Sequence, residues 1–342
     1  MHMKKIICLA HDPGGYDVTK PLVTRLNRDA NLCEFYCLGP AAGIDKEHAS
    51  TEEILFSGLE ADELPGVCVT GTSWGSDLEL RFIRECKERG IPTVSVLDFW
   101  SSYASRFELP SGQAVYPDHL VVMDNLAYDE AIEAGVPSNI LRVLGHPGLD
   151  RWVSTPACNA SNIGGEGTKL LFVSQPLSTI YGDTLGYTEY QVFADLLRAI
   201  QKDLGEELRI KFHPKESTQM HEAYSNYAIE GELSSLFADF DIVIGMSSMA
   251  LLLASLSGKI TLNYQPGLVS EDMAITNKLG LTKLIHSFDQ LVVSLDDARN
   301  KLHSRSQQHH GISDVINNPL WFDGKSTERV VSFIRGLAGL CE

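Results

Sequence analysis

The residues best suited to chemistry in this 342-residue chain are two serines and a histidine. In Asp241-Ile-Val-Ile-Gly245-Met-Ser247-Ser248-Met-Ala-Leu-Leu-Leu, an apolar run reads as a buried strand that turns at Gly245 directly into a helix. Ser247 and Ser248 then open that helix. Unsatisfied backbone N–H groups and the positive end of the helix dipole make an anion site there, and two hydroxyls add donors, which suits a phosphate. A plain N-cap would account for one serine but not for the second or for Gly245. Upstream, Leu208-Arg-Ile-Lys211-Phe-His213-Pro214-Lys215 reads as a strand ending in His-Pro. In open α/β sheets ligands bind beyond the carboxyl ends of strands, where both His213 and the serine pair fall. Imidazole can donate to a phosphate or ribose oxygen, and Lys211 or Lys215 adds local charge. Taken alone, a histidine at a strand end is more often structural.

The first half of the chain offers acid–base candidates. Its first apolar run ends in His11-Asp12-Pro13-Gly14-Gly15-Tyr16, ahead of a helical stretch from Val18 to Arg28. Gly14 and Gly15 allow close approach of a ligand, and His11 and Asp12 are candidate general bases. Equally, Asp12 caps the helix and the glycines only make a turn. A later strand ends in Leu97-Asp98-Phe99-Trp100, followed by Tyr103, Arg106 and Phe107. This aromatic loop with one carboxylate and one guanidinium suits a sugar, although Trp100 and Phe107 fit a core equally well. Gly145-His146-Pro147 closes this half as a turn, and Ser174-Gln175-Pro176 follows the first strand of the next. His309-His310-Gly311 has no third metal ligand at a recognisable spacing, so a solvated loop is expected and no metal is assigned. Neither a Walker A pattern nor a GxGxxG fingerprint is present, which argues against P-loop and nicotinamide chemistry.

Positioning these groups requires alternating strands and helices. Apolar β-rich runs at 5–10, 33–38, 67–71, 93–98, 119–123 and 141–144 alternate with amphipathic stretches such as 77–89, the pattern of parallel βα units. The alternation restarts at 170–174, 208–212, 241–244 and 259–263, with helices at 189–202 and 247–256. The fold class is therefore α/β with two Rossmann-like domains facing a central cleft. The expected boundaries are an N-terminal domain at 1–151, a polar Gly-rich linker at 152–167, a C-terminal domain at 168–325, and a last helix at 326–342 packing back on the first domain.

A formal net charge of −17 excludes partners bound by neutralising a phosphate backbone, so nucleic acid is not expected. Seven cysteines without a CxxC pair read as reduced core thiols. The apolar run Ile6–Ala10 is too short for a signal core or a membrane span, which points to a cytoplasmic protein and leaves peripheral membrane contact open.

Two Rossmann-like halves, Lys211-x-His213-Pro214 and the Ser247-Ser248 pair together resemble bacterial sialyltransferases. The resemblance extends to their relatives, the polysialyltransferases and Kdo or other nonulosonate transferases, all of the GT-B fold. It implies that His213 and Pro214 contact the cytidine monophosphate and that Ser247 and Ser248, behind Gly245, bind its phosphate. It also implies an acidic base in the first domain within an acidic Gly-terminated motif. This chain has no literal copy, and His11-Asp12-Pro13-Gly14 is the nearest counterpart. Asp12 is then the expected base, with His11 and Asp98 behind it, and Gly14, Gly15, Tyr103, Arg106 and Gln175 bind substrate. The implied reaction is an inverting transfer from a CMP-activated nonulosonate to a glycan acceptor, without cofactor or metal. CDP-glycerol phosphotransferases look similar at the same two motifs. UDP-GlcNAc 2-epimerases and UDP-sugar hydrolases share the fold, and Gly145-His146-Pro147 is similar to one of their turns. A non-catalytic nucleotide-sugar-binding protein is the reading from another class.

Overall fold

The computed structural model describes residues 5–28, 30–60, 63–154, 167–200, 207–305 and 320–340. The expected linker lies almost wholly outside them, as do His309, His310 and Gly311. The chain forms two compact units, Met1–Ser154 with Asn318–Glu342, and Thr155–Asn317.

In the first unit, β1 (Ile6–Ala10), β2 (Cys33–Cys37), β3 (Val67–Thr70), β4 (Thr93–Val96), β5 (His119–Val122) and β6 (Leu141–Val143) pair in parallel, in the order β2-β1-β3-β4-β5-β6. Every side chain of β1, β3 and β4 is buried, as in interior parallel strands covered on both faces, and the polar Thr70, Thr93 and Ser95 among them are hydrogen-bonded. The edge strand β2 instead alternates buried with half-buried positions. In the second unit, β7 (Lys169–Val173), β8 (Glu207–Lys211), β9 (Ile242–Gly245), β10 (Ile260–Tyr264) and β11 (Leu284–Ile285) form a parallel sheet ordered β11-β10-β9-β7-β8. The expected strands all form. Only β11 is unanticipated, because two residues are too few to show a period.

Both sheets share one winding. The strand order reverses between β1 and β3 in the first and between β7 and β9 in the second. Loops leaving the carboxyl ends of such a pair run to opposite sides and leave a crevice.

The first helix spans Pro13–Leu26 rather than starting at Val18. Asp12 is its N-cap and Pro13 occupies the first turn, where a missing N–H costs nothing. Gly14 and Gly15 therefore lie inside the helix. Its buried face, Val18, Leu22, Val23 and Leu26, packs in one core with Val330, Val331 and Ile334 of the Ser326–Leu337 helix. That last helix is capped across the sequence by Asp150, which accepts from the backbone of Ser326 (3.0 Å) and Thr327 (2.7 Å). Five described cysteines, at positions 8, 33, 37, 68 and 86, are buried free thiols. No helix among the described residues is long and apolar enough to cross a membrane.

Asp124 joins three segments. Its buried carboxylate accepts from the indole N–H of Trp100 (3.1 Å) and of Trp321 (2.9 Å), and it caps the Asn125–Glu133 helix through Ala127 N (2.8 Å). Trp100 and Phe107 are thereby core residues, not sugar platforms. Replacement by alanine leaves two buried indole donors and a helix start unsatisfied. Asp124→Ala is expected to cost about 3 kcal/mol in urea unfolding followed by tryptophan fluorescence. A loss below about 1 kcal/mol would mean that water takes over the carboxylate's bonds.

Candidate functional site

At the β1/β3 reversal, three carboxyl groups gather from different segments. Asp12 follows β1, and its Oδ1 accepts from Gly15 N at 2.6 Å while Oδ2 faces Trp74 N at 3.4 Å. Burial, and then the charge of Asp98, raise its pKa above the usual carboxylate value. Asp98 follows β4 and is held by the buried guanidinium of Arg106 (2.6 Å) and by the Thr72 hydroxyl (3.2 Å). Arg106 also donates to the carbonyl oxygens of Thr72 (2.6 Å) and Ser101 (3.2 Å). His146 donates through Nε2 to the Asp98 carbonyl (3.0 Å) and stacks on Trp100.

The third carboxyl is Glu79, in the Leu78–Glu88 helix and only 3% exposed. Its Oε2 accepts from Ser73 N at 2.6 Å, and Oε1 has no partner among the described residues. Burial pushes its pKa up to about 7, with smaller contributions from Asp12 and Asp98. It escaped the sequence reading, yet its spacing to Phe82, Ile83 and Cys86 sets it in the buried stripe of that helix, where a carboxylate is out of place.

Gly14 and Gly15 serve contacts within the protein. A Cβ on Gly14 would overlap the Asp98 carboxylate, and one on Gly71 would lie 2.6 Å from Gly15 Cα. Tyr103 donates to Glu130 (2.6 Å) and is buried, so neither it nor Arg106 is free to meet a ligand. His11 packs against Gly39, and its buried Nδ1 has no partner among the described residues.

At the β7/β9 reversal, Gln175 and Ser247 meet. Ser247 N donates to Gln175 Oε1 (2.9 Å), and Gln175 Nε2 faces Ser247 Oγ (3.4 Å). Ser248 is the N-cap of the Met249–Leu256 helix, accepting from Ala250 N at 3.1 Å. Gly245 ends β9, where a Cβ would come within 2.9 Å of Val173. His213 follows β8, and its Nδ1 accepts from Lys215 N (3.1 Å). Burial, aided by Lys215, lowers its pKa. Pro214 is exposed, and Lys211 pairs with Glu230 (3.1 Å). Glu216, also missed from the sequence, accepts from Ser174 Oγ (2.7 Å) and keeps a buried Oε1 without partner among the described residues.

Asp45, Glu47 and His48 place oxygen and nitrogen atoms close enough together for a metal ion. Lys20 (2.7 Å) and His48 (2.9 Å) already occupy the two oxygens of the buried Asp45, so this carboxylate is taken up by partners within the protein.

No protein-family model matches the chain, and no curated protein does. Solved structures do. S. aureus MnaA in complex with UDP is similar over 99% of this chain and 98% of its own, with a TM-score of 0.68 at 12% identity. UDP-GlcNAc 2-epimerase from Neisseria meningitidis, bound to UDP-GlcNAc, is similar over 97% of this chain and 100% of its own (TM-score 0.67, 11% identity). The kitacinnamycin glycotransferase covers 99% of this chain and 100% of its own (TM-score 0.61, 12% identity). The chain thus has the GT-B type of fold.

These likenesses correct the resemblance to CMP-nonulosonate transferases. The similar structures hold UDP and UDP-GlcNAc, not a cytidine nucleotide. The motifs misled because their roles are backbone roles. Ser248 caps a helix, Ser247 is tied to Gln175, and His213 closes a turn, none of which distinguishes cytosine from uracil.

Glu79 makes stability fall with rising pH. Below its ordinary value of 4.5 it is protonated in both folded and unfolded chains. From there to about 7 only the folded chain keeps the proton, and above that an unpaired buried charge remains. Glu79→Gln removes this slope. The variant's stability relative to wild type should rise by roughly 3 kcal/mol between about pH 4 and about pH 8, measured by urea unfolding. A pH-independent difference would mean that Glu79 titrates as an ordinary carboxylate.

Proposed function

We propose that this chain binds a UDP-N-acetylhexosamine and epimerises its sugar. The observation that carries the reading is the pair Asp12 and Asp98 at the β1/β3 reversal, two carboxyl groups in unequal surroundings. One has its pKa raised by burial, and the other is bonded to Arg106. Epimerisation breaks a C–H bond and remakes it on the opposite face, so it needs a base and then an acid. The C2 hydrogen of a pyranose is not acidic by itself. Its removal becomes feasible when the electron pair expels UDP from C1, leaving a C1–C2 double bond to which proton and UDP return in reverse order. Asp12 takes the C2 proton in this scheme. Glu79 is closed off from solvent.

In the second unit, Ser247 and Ser248 at the helix start, with His213, offer donors of the kind that phosphates take. The UDP and UDP-GlcNAc held by the similar structures support uridine over cytidine. The kitacinnamycin glycotransferase shares the fold, so transfer to an acceptor is the rival outcome.

Incubation with UDP-GlcNAc in deuterium oxide, followed by NMR, tests this. Deuterium at C2 and a second set of anomeric signals are expected. Asp12→Asn should slow both by about 100-fold or more, with UDP binding retained in calorimetry. UDP release only on addition of an acceptor would favour transfer, and binding without turnover would leave a nucleotide-sugar-binding protein.

A further inference from the structure

Between β3 and the Leu78–Glu88 helix runs the turn Gly71-Thr72-Ser73-Trp74-Gly75, fastened at each residue before the indole. Thr72 is bonded to Arg106 through its carbonyl and to Asp98 through its hydroxyl, Ser73 N to Glu79, and Trp74 N to Asp12. Gly75 then turns the chain away at φ +81°. The Trp74 side chain is nonetheless 62% exposed, and no aromatic or cationic group among the described residues packs on it. A lone exposed apolar side chain on a surface needs no explanation. This one differs because a pinned backbone sets it in the residue whose own N–H points at Asp12. The other tryptophans, Trp100, Trp152 and Trp321, are buried or half-buried.

We infer that Trp74 is the platform on which the pyranose of the nucleotide sugar stacks, making it a specificity-determining residue beside Asp12. The inference rests on the UDP-sugar reading above. A pyranose offers an apolar face of C–H bonds and a rim of hydroxyls. Recognising it takes a flat apolar surface next to fixed acceptors. Trp74 supplies the surface, and Asp12 and Asp98 supply the acceptors. A turn held by buried bonds loses little freedom on binding, so an indole offered from it captures the ring at low entropic cost. The uracil and phosphates are not what it meets, so its role separates sugar recognition from nucleotide recognition.

Acrylamide quenching of tryptophan fluorescence reads this directly, with Trp74→Phe defining the contribution of the exposed indole. UDP-GlcNAc at saturation should shield that component from quencher, whereas UDP should not. Trp74→Ala should raise the KM for UDP-GlcNAc about tenfold, by more than kcat falls, with the Kd for UDP unchanged and Trp74→Phe recovering most of the loss. Equal shielding by UDP would place Trp74 on the nucleotide and overturn the inference. So would UDP-GlcNAc binding in calorimetry without any shielding, and in that case the UDP-sugar reading survives. Binding of neither ligand by the wild type would overturn both.

Discussion

Asp98 and Arg106 meet at 2.6 Å at the carboxyl end of β4, both largely buried, in a chain of formal charge −17. Three carboxyl groups share this part of the first unit, and their mutual repulsion would separate the loops that carry them. The guanidinium opposes that repulsion and does more, because its N–H groups reach the Thr72 and Ser101 carbonyls as well. A buried pair of this kind adds little net stability, but removing one partner strands the other at a cost of about 3–5 kcal/mol. Its service is positional. The loops after β3 and β4 are tied to each other through Arg106, and His146, after β6, is tied to the Asp98 carbonyl.

Glycine completes this arrangement. Gly15 and Gly71 pack backbone against backbone, bringing the start of the first helix against the turn after β3, and Gly14 leaves room for Asp98. These close approaches put the Asp12 carboxylate within reach of backbone donors from the first turn of its own helix and from the turn after β3. Glu79 lies behind them, satisfied at one oxygen only, and buries a titrating group where the first unit can least afford a charge.

The second unit solves a similar problem with neutral groups. Its sheet reverses between β7 and β9 just as the first reverses between β1 and β3, and the two loops there are joined by the amide of Gln175 rather than by an ion pair. Asn263 fastens the same turn from β10 by donating to the Met246 carbonyl. A helix start and hydroxyls suit an anion better than carboxylates do, so the two strand reversals carry unequal chemistry.

Alternating apolar runs and helical stripes were legible because a parallel strand buried on both faces is mostly apolar along its length, so ten strands and the two-sheet class follow from residue order alone. The serine pair at a helix start and Asp12 at another were legible for the same local reason: caps and strand exits have their own residue preferences. What a loop residue bonds to was not legible. Arg106 and Tyr103 read as free to meet a sugar, yet contacts to Asp98 and Glu130 hold them inside. Glu79 and Trp74 went unremarked, although one lies in a buried stripe and the other beside Asp12. Uridine against cytidine was equally out of reach, since the serine and histidine motifs serve the backbone whatever the base. Sequence alone determined the alternation of elements and their ends, which depend on neighbours along the chain; only the tertiary structure decided which carboxylates meet, which are paired and which stand alone, because those partners come from distant segments.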